Sequence, residues 1–153
     1  SEITMDHVTS VGAPRIGMGA VPPSHCGVHG WMEPSWFIGR ISDSVPNLLY
    51  EWRQKVAENA GGKRMGAAVL EYRLRYHRLP RASDLYTVHT SLGRVQGKTH
   101  SLVHWVMNPA TGTAWATCEA VAITLDLDAR KAIPAPPEML GELEALAPIG
   151  LTV

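Results

Sequence analysis

The sequence has little of what usually betrays a function at first sight. Only two of its 153 residues are cysteine, Cys26 and Cys118. Two thiols make no disulfide framework and fit a reducing compartment. Neither sign of charge dominates, with fourteen Lys and Arg against fourteen Asp and Glu. No strong field therefore points toward nucleic acid or an anionic membrane surface. No apolar run approaches the roughly 20 residues of a spanning helix, and the N-terminus lacks the charged-then-apolar pattern of a signal peptide. There is no serine nucleophile elbow, no phosphate-cradling glycine loop with lysine and no dinucleotide fingerprint. A cytoplasmic protein with no nucleic-acid or membrane partner and no resident cofactor is the expectation.

What is present is globular material, 45% hydrophobic and 18% charged, which argues against disorder. The length suits a single domain over 1–153 with a real core. Because the chain starts at Ser1, a processed start, or a place as half of a two-domain chain, stays open.

Residues 1–20 carry little periodicity; either Val8 to Val11 or Ile16 to Val21 supplies a first strand. The run from Pro22 to Gly30 is dense in proline and glycine and reads as irregular backbone. From Pro34 the pattern changes. Phe37, Ile41, Val45, Leu48, Trp52 and Val56 recur at spacings of three or four, with Ile38, Leu49 and Ala60 alongside. This predicts a helix from Ser35 to about Ala60, roughly 39 Å long and ended by Gly61-Gly62. Pro46 either kinks it or restarts it.

After the glycines the period becomes two. Leu70, Tyr72, Leu74 and Tyr76 alternate with charged residues and His77, predicting a half-buried strand. Leu85 to Val95, Leu102 to Met107 and Thr113 to Leu127 are three more, the last two joined by an Asn108–Gly112 hairpin. In the fourth, Ala114, Ala116, Cys118, Ala120 and Ala122 share a face, read either as the floor under the long helix or as a generic alanine-rich strand. Trp115 and Val121 point the other way. The proline-rich run after Ile133 is an extended connector, and Glu138 to Leu146 a short surface helix. One long amphipathic helix lying on one antiparallel sheet is an α+β arrangement.

This order, and several local strings, resemble the 4-hydroxybenzoyl-CoA thioesterase-like branch of the hotdog superfamily, from about Gly19 to Leu146. Val21 to Met32 resembles the family's entry motif, and Trp36-Phe37-Ile38-Gly39-Arg40-Ile41-Ser42-Asp43 the start of its central helix. Glu71 to Asp84 is similar to the strand and turn that follow. His100 to Val106 with Asn108 and Thr111-Gly112 looks like its hairpin, and Ala116 to Val121 with Arg130 to Pro134 like its last strand and exit. The resemblance implies a hotdog fold, a long central helix wrapped by a curved antiparallel sheet. It also implies hydrolysis of an acyl-CoA or acyl-carrier-protein thioester, and a homodimer or larger homo-oligomer with its site between subunits. An unpaired sheet edge would otherwise lie exposed.

Thioester hydrolysis needs donors for the oxyanion and a carboxylate as base or nucleophile. On the resemblance, Gly30 and Trp31 stand where the family's oxyanion amides lie; a tight turn that needs glycine for its own geometry is the alternative. The family's loop acid falls at Gly27, three residues before Gly30, and its helix acid at Ser42, twelve after; neither is acidic here. The substitutes are Glu33, Asp43 and His29. Glu33 stands near the helix start, where the dipole alone would favour a carboxylate. Asp43 is one residue, about 100° of rotation, from Ser42. His29 titrates near neutral pH but could equally be an exposed loop histidine.

For the coenzyme, Arg94, Lys98, Arg130 and Lys131 could meet phosphates, and Thr99 and Ser101 the pantetheine arm, unless they are a solvated strand rim. Trp36, Phe37 and Trp105 are candidates for an acyl tunnel. No metal is expected. His25, Cys26 and His29 lack a partner pair later in the chain, and His100 and His104 lie roughly 13 Å apart along one strand. The rival function is a non-catalytic acyl-CoA-binding or regulatory domain that has lost its carboxylates. Hydration chemistry ranks last.

Overall fold

The computed structural model describes residues 2–59 and 64–150, with side chains at all of these except 49 and 51–59. The side chains of Leu49, Trp52 and Val56, and Ala60 with the Gly61-Gly62 stop, lie outside what is described. A short helix, α1 (Met5–Ser10), leads into strand β1 (Arg15–Ala20) and a 3-10 turn at Pro23–His25. The long helix α2 (Pro34–Asn59) is followed by β2 (Met65–Tyr76), β3 (Leu85–Gln96), β4 (Thr99–Asn108) and β5 (Thr113–Asp126). A short strand β6 (Lys131–Ile133) and a helix α3 (Pro137–Leu146) close the chain.

Helix α2 begins at Pro34, one residue before its predicted start, and is helical through Asn59. Pro34 occupies its first position, where a missing N–H costs nothing. Pro46 neither stops nor restarts it; the helix runs through. Pro46 and Ser42, whose carbonyl loses its donor there, are both exposed, so water can take the place of the lost bond. On the other side Phe37, Ile41 and Leu48 are buried at their helical spacing. Full burial of side chains of this size stabilises by about 1.5–3 kcal/mol each.

The sheet order is β1-β3-β4-β5-β2, with every neighbour antiparallel. Strand β2 therefore sits at the far edge beside β5, not beside β3. The concave face carries Val88, Val106, Ala116 and Cys118 against Phe37, Ile41 and Leu48 of α2. The small Ala116 and Cys118 are the floor on which the helix lies. α3 packs Met139 and Leu143 onto Leu92 and Leu102. This is the hotdog fold, a sheet curled around one long helix.

The sequence reading needs correction at three places. Ala114 does not share the face of Ala116, because a bulge falls between the pairs Val106–Ala116 and Met107–Ala114. The extra residue, Trp115, turns inward to the helix side, while Ala114 joins the outer face. Trp105 lies on the convex face, packed with Val8 and Met107 under α1, so it lines no tunnel beside α2. Strand β2 is largely exposed rather than half-buried, and Leu70 sits at a bulge between the Val69 and Glu71 pairings. Of the two candidate first strands Ile16 belongs to β1, whereas Val8 lies in α1.

Candidate active site

The entry to α2 is a small hairpin built by glycine. Gly27 N–H donates to the Trp31 carbonyl at 2.9 Å, and Gly30 N–H to the Gly27 carbonyl at 2.9 Å. Gly30 has φ +80°, the left-handed conformation that closes a three-residue hairpin loop and that a side chain would oppose. Cys26 faces Met32 across the hairpin, with Glu33 N–H donating to the His25 carbonyl at 2.9 Å. The β2–β3 connection pins this unit from below. Met32 N–H donates to the Pro80 carbonyl, and the Arg81 guanidinium lies 5.5 Å from the Trp31 ring centre. His25 stacks on Trp36 of the first helical turn at 3.7 Å between ring centres, and the Arg40 guanidinium sits 5.9 Å from the same indole.

One relation in this hairpin bears directly on the missing acid. A β-carbon added to Gly27 would stand 2.8 Å from Oε1 of Glu33. The Glu33 side chain thus folds back over Gly27 and places its carboxylate where an acidic side chain at 27 would reach. Next to it, the Trp31 N–H makes no backbone hydrogen bond among the described residues. The amino end of α2 adds its partial positive charge, although Pro34 has no N–H and the Trp36 N–H is taken by the Glu33 carbonyl at 3.1 Å.

The other predicted residues fall out differently. Glu33, Trp31 and Gly30 are brought together, but the Gly30 amide is committed to the turn and cannot also hold an oxyanion. His29 is exposed at the loop tip, its ring 6.1 Å from that of Trp31. Asp43 does not rotate into the position of Ser42. Ser42 pairs with the Tyr72 hydroxyl of β2 at 3.3 Å, while Asp43 accepts from Arg40 at 2.7 Å and lines a cleft toward β1. Phe37 is fully buried and meets Tyr76 edge-on at 5.2 Å, and Trp36 is half-buried in its stack with His25. Arg94, Lys98, Thr99 and Ser101 cluster at the β3–β4 hairpin, where the Ser101 hydroxyl accepts from Arg94 N–H at 2.9 Å and Thr99 Oγ1 donates to the Gln96 carbonyl. That hairpin is at the opposite end of β4 from the entry loop, about 30 Å away along the strand within one protomer. Arg130 and Lys131 lie beyond β5, Arg130 with φ +52°.

Sequence reasoning missed the tie between residues 27 and 33. The signal was present, a glycine at the acid position and a glutamate six residues on, but only the hairpin closes that distance.

A family model described as the thioesterase-like superfamily matches residues 21–143, and the chain belongs to that superfamily. No curated protein matches in sequence. Among solved structures, the probable thioesterase YbaW of Escherichia coli is 19% identical with a TM-score of 0.74, covering 86% of this chain and 97% of that one. The hypothetical protein SAV2348 of Staphylococcus aureus, solved with CoA, is 15% identical with a TM-score of 0.72, covering 92% and 89%. The 1,4-dihydroxy-2-naphthoyl-CoA thioesterase Slr0204 of Synechocystis is 11% identical with a TM-score of 0.67, covering 83% and 93%. At these identities the likeness is one of fold. No helix among the described residues is long and apolar enough to cross a membrane.

Proposed function

We propose that this protein hydrolyses the thioester of an acyl-CoA or acyl-carrier-protein substrate, with Glu33 as the base. The observation that carries this reading is the Glu33 carboxylate lying over Gly27, 2.8 Å from the position of the absent β-carbon. It supports a relocated acid, in which residue 33 supplies what residue 27 has lost. Glu33 takes a proton from water as the water oxygen bonds to the thioester carbon. The Trp31 N–H and the amino end of α2 stabilise the negative oxygen of the tetrahedral intermediate. Collapse breaks the carbon–sulfur bond, and the departing thiolate recovers the proton from Glu33. The products are a carboxylic acid and a free thiol.

The same reading makes the protein a homodimer joined along β2. The outer edge of β2 has no strand partner among the described residues, and it exposes Leu70 at 60%, Val69 at 45% and Tyr76 at 39%. Antiparallel pairing of two such edges about a two-fold axis sets the Met65 end of one copy beside the Tyr76 end of the other. The hairpin carrying Lys98 and Thr99 in one copy would then approach the entry loop of the other, which restores a role for these residues in holding the coenzyme. Two free cysteines fit work in the cytoplasm.

A second reading is favoured by one observation, the commitment of the Gly30 amide to its turn, which leaves fewer oxyanion donors than the resemblance implies. It is an acyl-CoA-binding domain without turnover. The test offers the purified protein a panel of acyl-CoAs with a thiol-reactive dye, beside Glu33→Gln. Turnover in the parent that Glu33→Gln abolishes supports hydrolysis; tight CoA binding with no thiol release supports the binding domain.

A further inference from the structure

Helix α2 has a second working side. Ser42 and the β2 edge lie on one flank, and on the other a cleft of about 450 Å³ opens between the helix and β1. Arg15, Arg40, Asp43, Ser44 and Asn47 line it. Asp43 lies about 15 Å along the helix from Glu33, at 1.5 Å per residue. The cleft is built by close approach. A β-carbon on Gly17 would collide with the Ser44 hydroxyl, and Asn47 Nδ2 donates to the Ile16 carbonyl at 2.7 Å, tying the helix to a bulge in β1.

Its charges do not balance. Two guanidinium groups face one carboxylate. Asp43 occupies Nη2 of Arg40 at 2.7 Å, while Arg15 makes no ion pair among the described residues. Among the described residues, Arg40 Nε is buried without a hydrogen-bond partner. A buried donor left unpaired is unfavourable, more so when its group is charged. Guanidinium groups match the planar, two-oxygen geometry of carboxylates and phosphates.

We propose that this cleft is an oxyanion pocket that takes one carboxylate or phosphoryl group, held by the guanidinium groups of Arg15 and Arg40. The residual charge of two arginines against one aspartate suits a single negative charge. Binding of a free anion here is independent of the thioester chemistry, whereas binding of a coenzyme phosphate rests on the proposed function. Two sources share this chemistry, a small free anion and the phosphate-bearing end of a coenzyme.

Isothermal titration at matched ionic strength tests the pocket with sodium phosphate, sodium acetate and CoA against the parent, Arg15→Gln and Arg40→Gln. The expected result is saturable binding of phosphate or acetate that weakens at least tenfold in both variants. CoA binding that weakens in parallel names the coenzyme as the source; CoA binding that stays unchanged names the free anion. Arg15→Gln, exposed at the start of β1, keeps the test decisive even where Arg40→Gln disturbs the stack on Trp36. No heat from phosphate or acetate, or binding that survives Arg15→Gln undiminished, overturns the proposal.

Discussion

Moving the carboxylate from residue 33 back to residue 27 should move the activity with it. A general base contributes typically 10²–10⁴-fold, so Glu33→Ala should lower kcat by about that factor, equivalent to about 3–5 kcal/mol of barrier. The Glu33 oxygen lies 2.8 Å from the ideal β-carbon of residue 27. An aspartate there extends its carboxyl carbon by about one further bond of 1.5 Å, into the volume that truncation at 33 has vacated. The double variant Gly27→Asp/Glu33→Ala should therefore recover activity to within about tenfold of the parent. Gly27→Asp alone puts two carboxylates roughly 4 Å apart, a repulsion of about 1 kcal/mol in water. Because Glu33 is exposed and its end can swing aside, that variant should fold and lose only a few-fold in rate. Thiol release from an acyl-CoA panel gives the rates, and circular dichroism shows that each variant is folded. Glu33→Ala retaining more than a third of the parental rate, or a folded double variant no faster than Glu33→Ala, would refute the reasoning.

Other outcomes follow from the same structure. Gly30→Ala forces a side chain into a φ of +80° and should lower stability by about 1–2 kcal/mol in a urea melt. Phe37→Ala empties the fully buried seat between α2 and Tyr76, for a loss of about 3–5 kcal/mol by the same measurement. Burial holds the His104 pKa down to about 4 in the folded chain, against 6.5 when exposed. The unfolded chain therefore binds the proton first, and stability should be full above pH 6.5 and fall as pH drops from 6.5 toward 4. Its limit, worked from that difference, is about 3 kcal/mol, and a urea series at pH 7.5 and 5.0 in parent and His104→Gln should show a smaller drop in the variant. Burial, with Glu119 beside it, pushes the Cys118 thiol up to about 12. In the native protein only the half-buried Cys26 should react with a thiol reagent, Cys118 following on unfolding.

Much of the fold was legible because periodicity survives burial. The spacing of Phe37, Ile41 and Leu48 marked α2, and the Thr, Val and Tyr content of Leu85–Val95 and the turn residues 108–112 marked strands whose ends agree with the structure within a few residues. What period alone could not give was anything set by one extra residue. Trp115 reverses its face through a bulge, and the same device at Leu70 falls on a strand whose exposure depends on its edge position rather than its side chains. Helix α1 is six residues, too short for a helical repeat to register; its signal was the Thr4 hydroxyl accepting from His7 N–H. In the site, Gly30 was legible as a turn glycine and Glu33 as a helix-start acid. That they belong to one hairpin, with Glu33 over Gly27, is a tertiary fact carried by hydrogen bonds to the Trp31 and His25 carbonyls. Asp43 was the opposite case, since its partner Arg40 and the cleft toward β1 emerge only once β1 is packed against the helix.

The most direct measurement is a crystal structure of the parent protein with an acyl-CoA analogue whose thioester sulfur is replaced by a non-cleavable methylene. The expected density places the ketone oxygen within about 3 Å of the Trp31 N–H, with the Glu33 carboxylate and a water on the adjoining side of the carbonyl carbon. Density with the carbonyl remote from the hairpin of residues 26–33, or with Glu33 turned away while another carboxylate faces the carbon, would contradict the account.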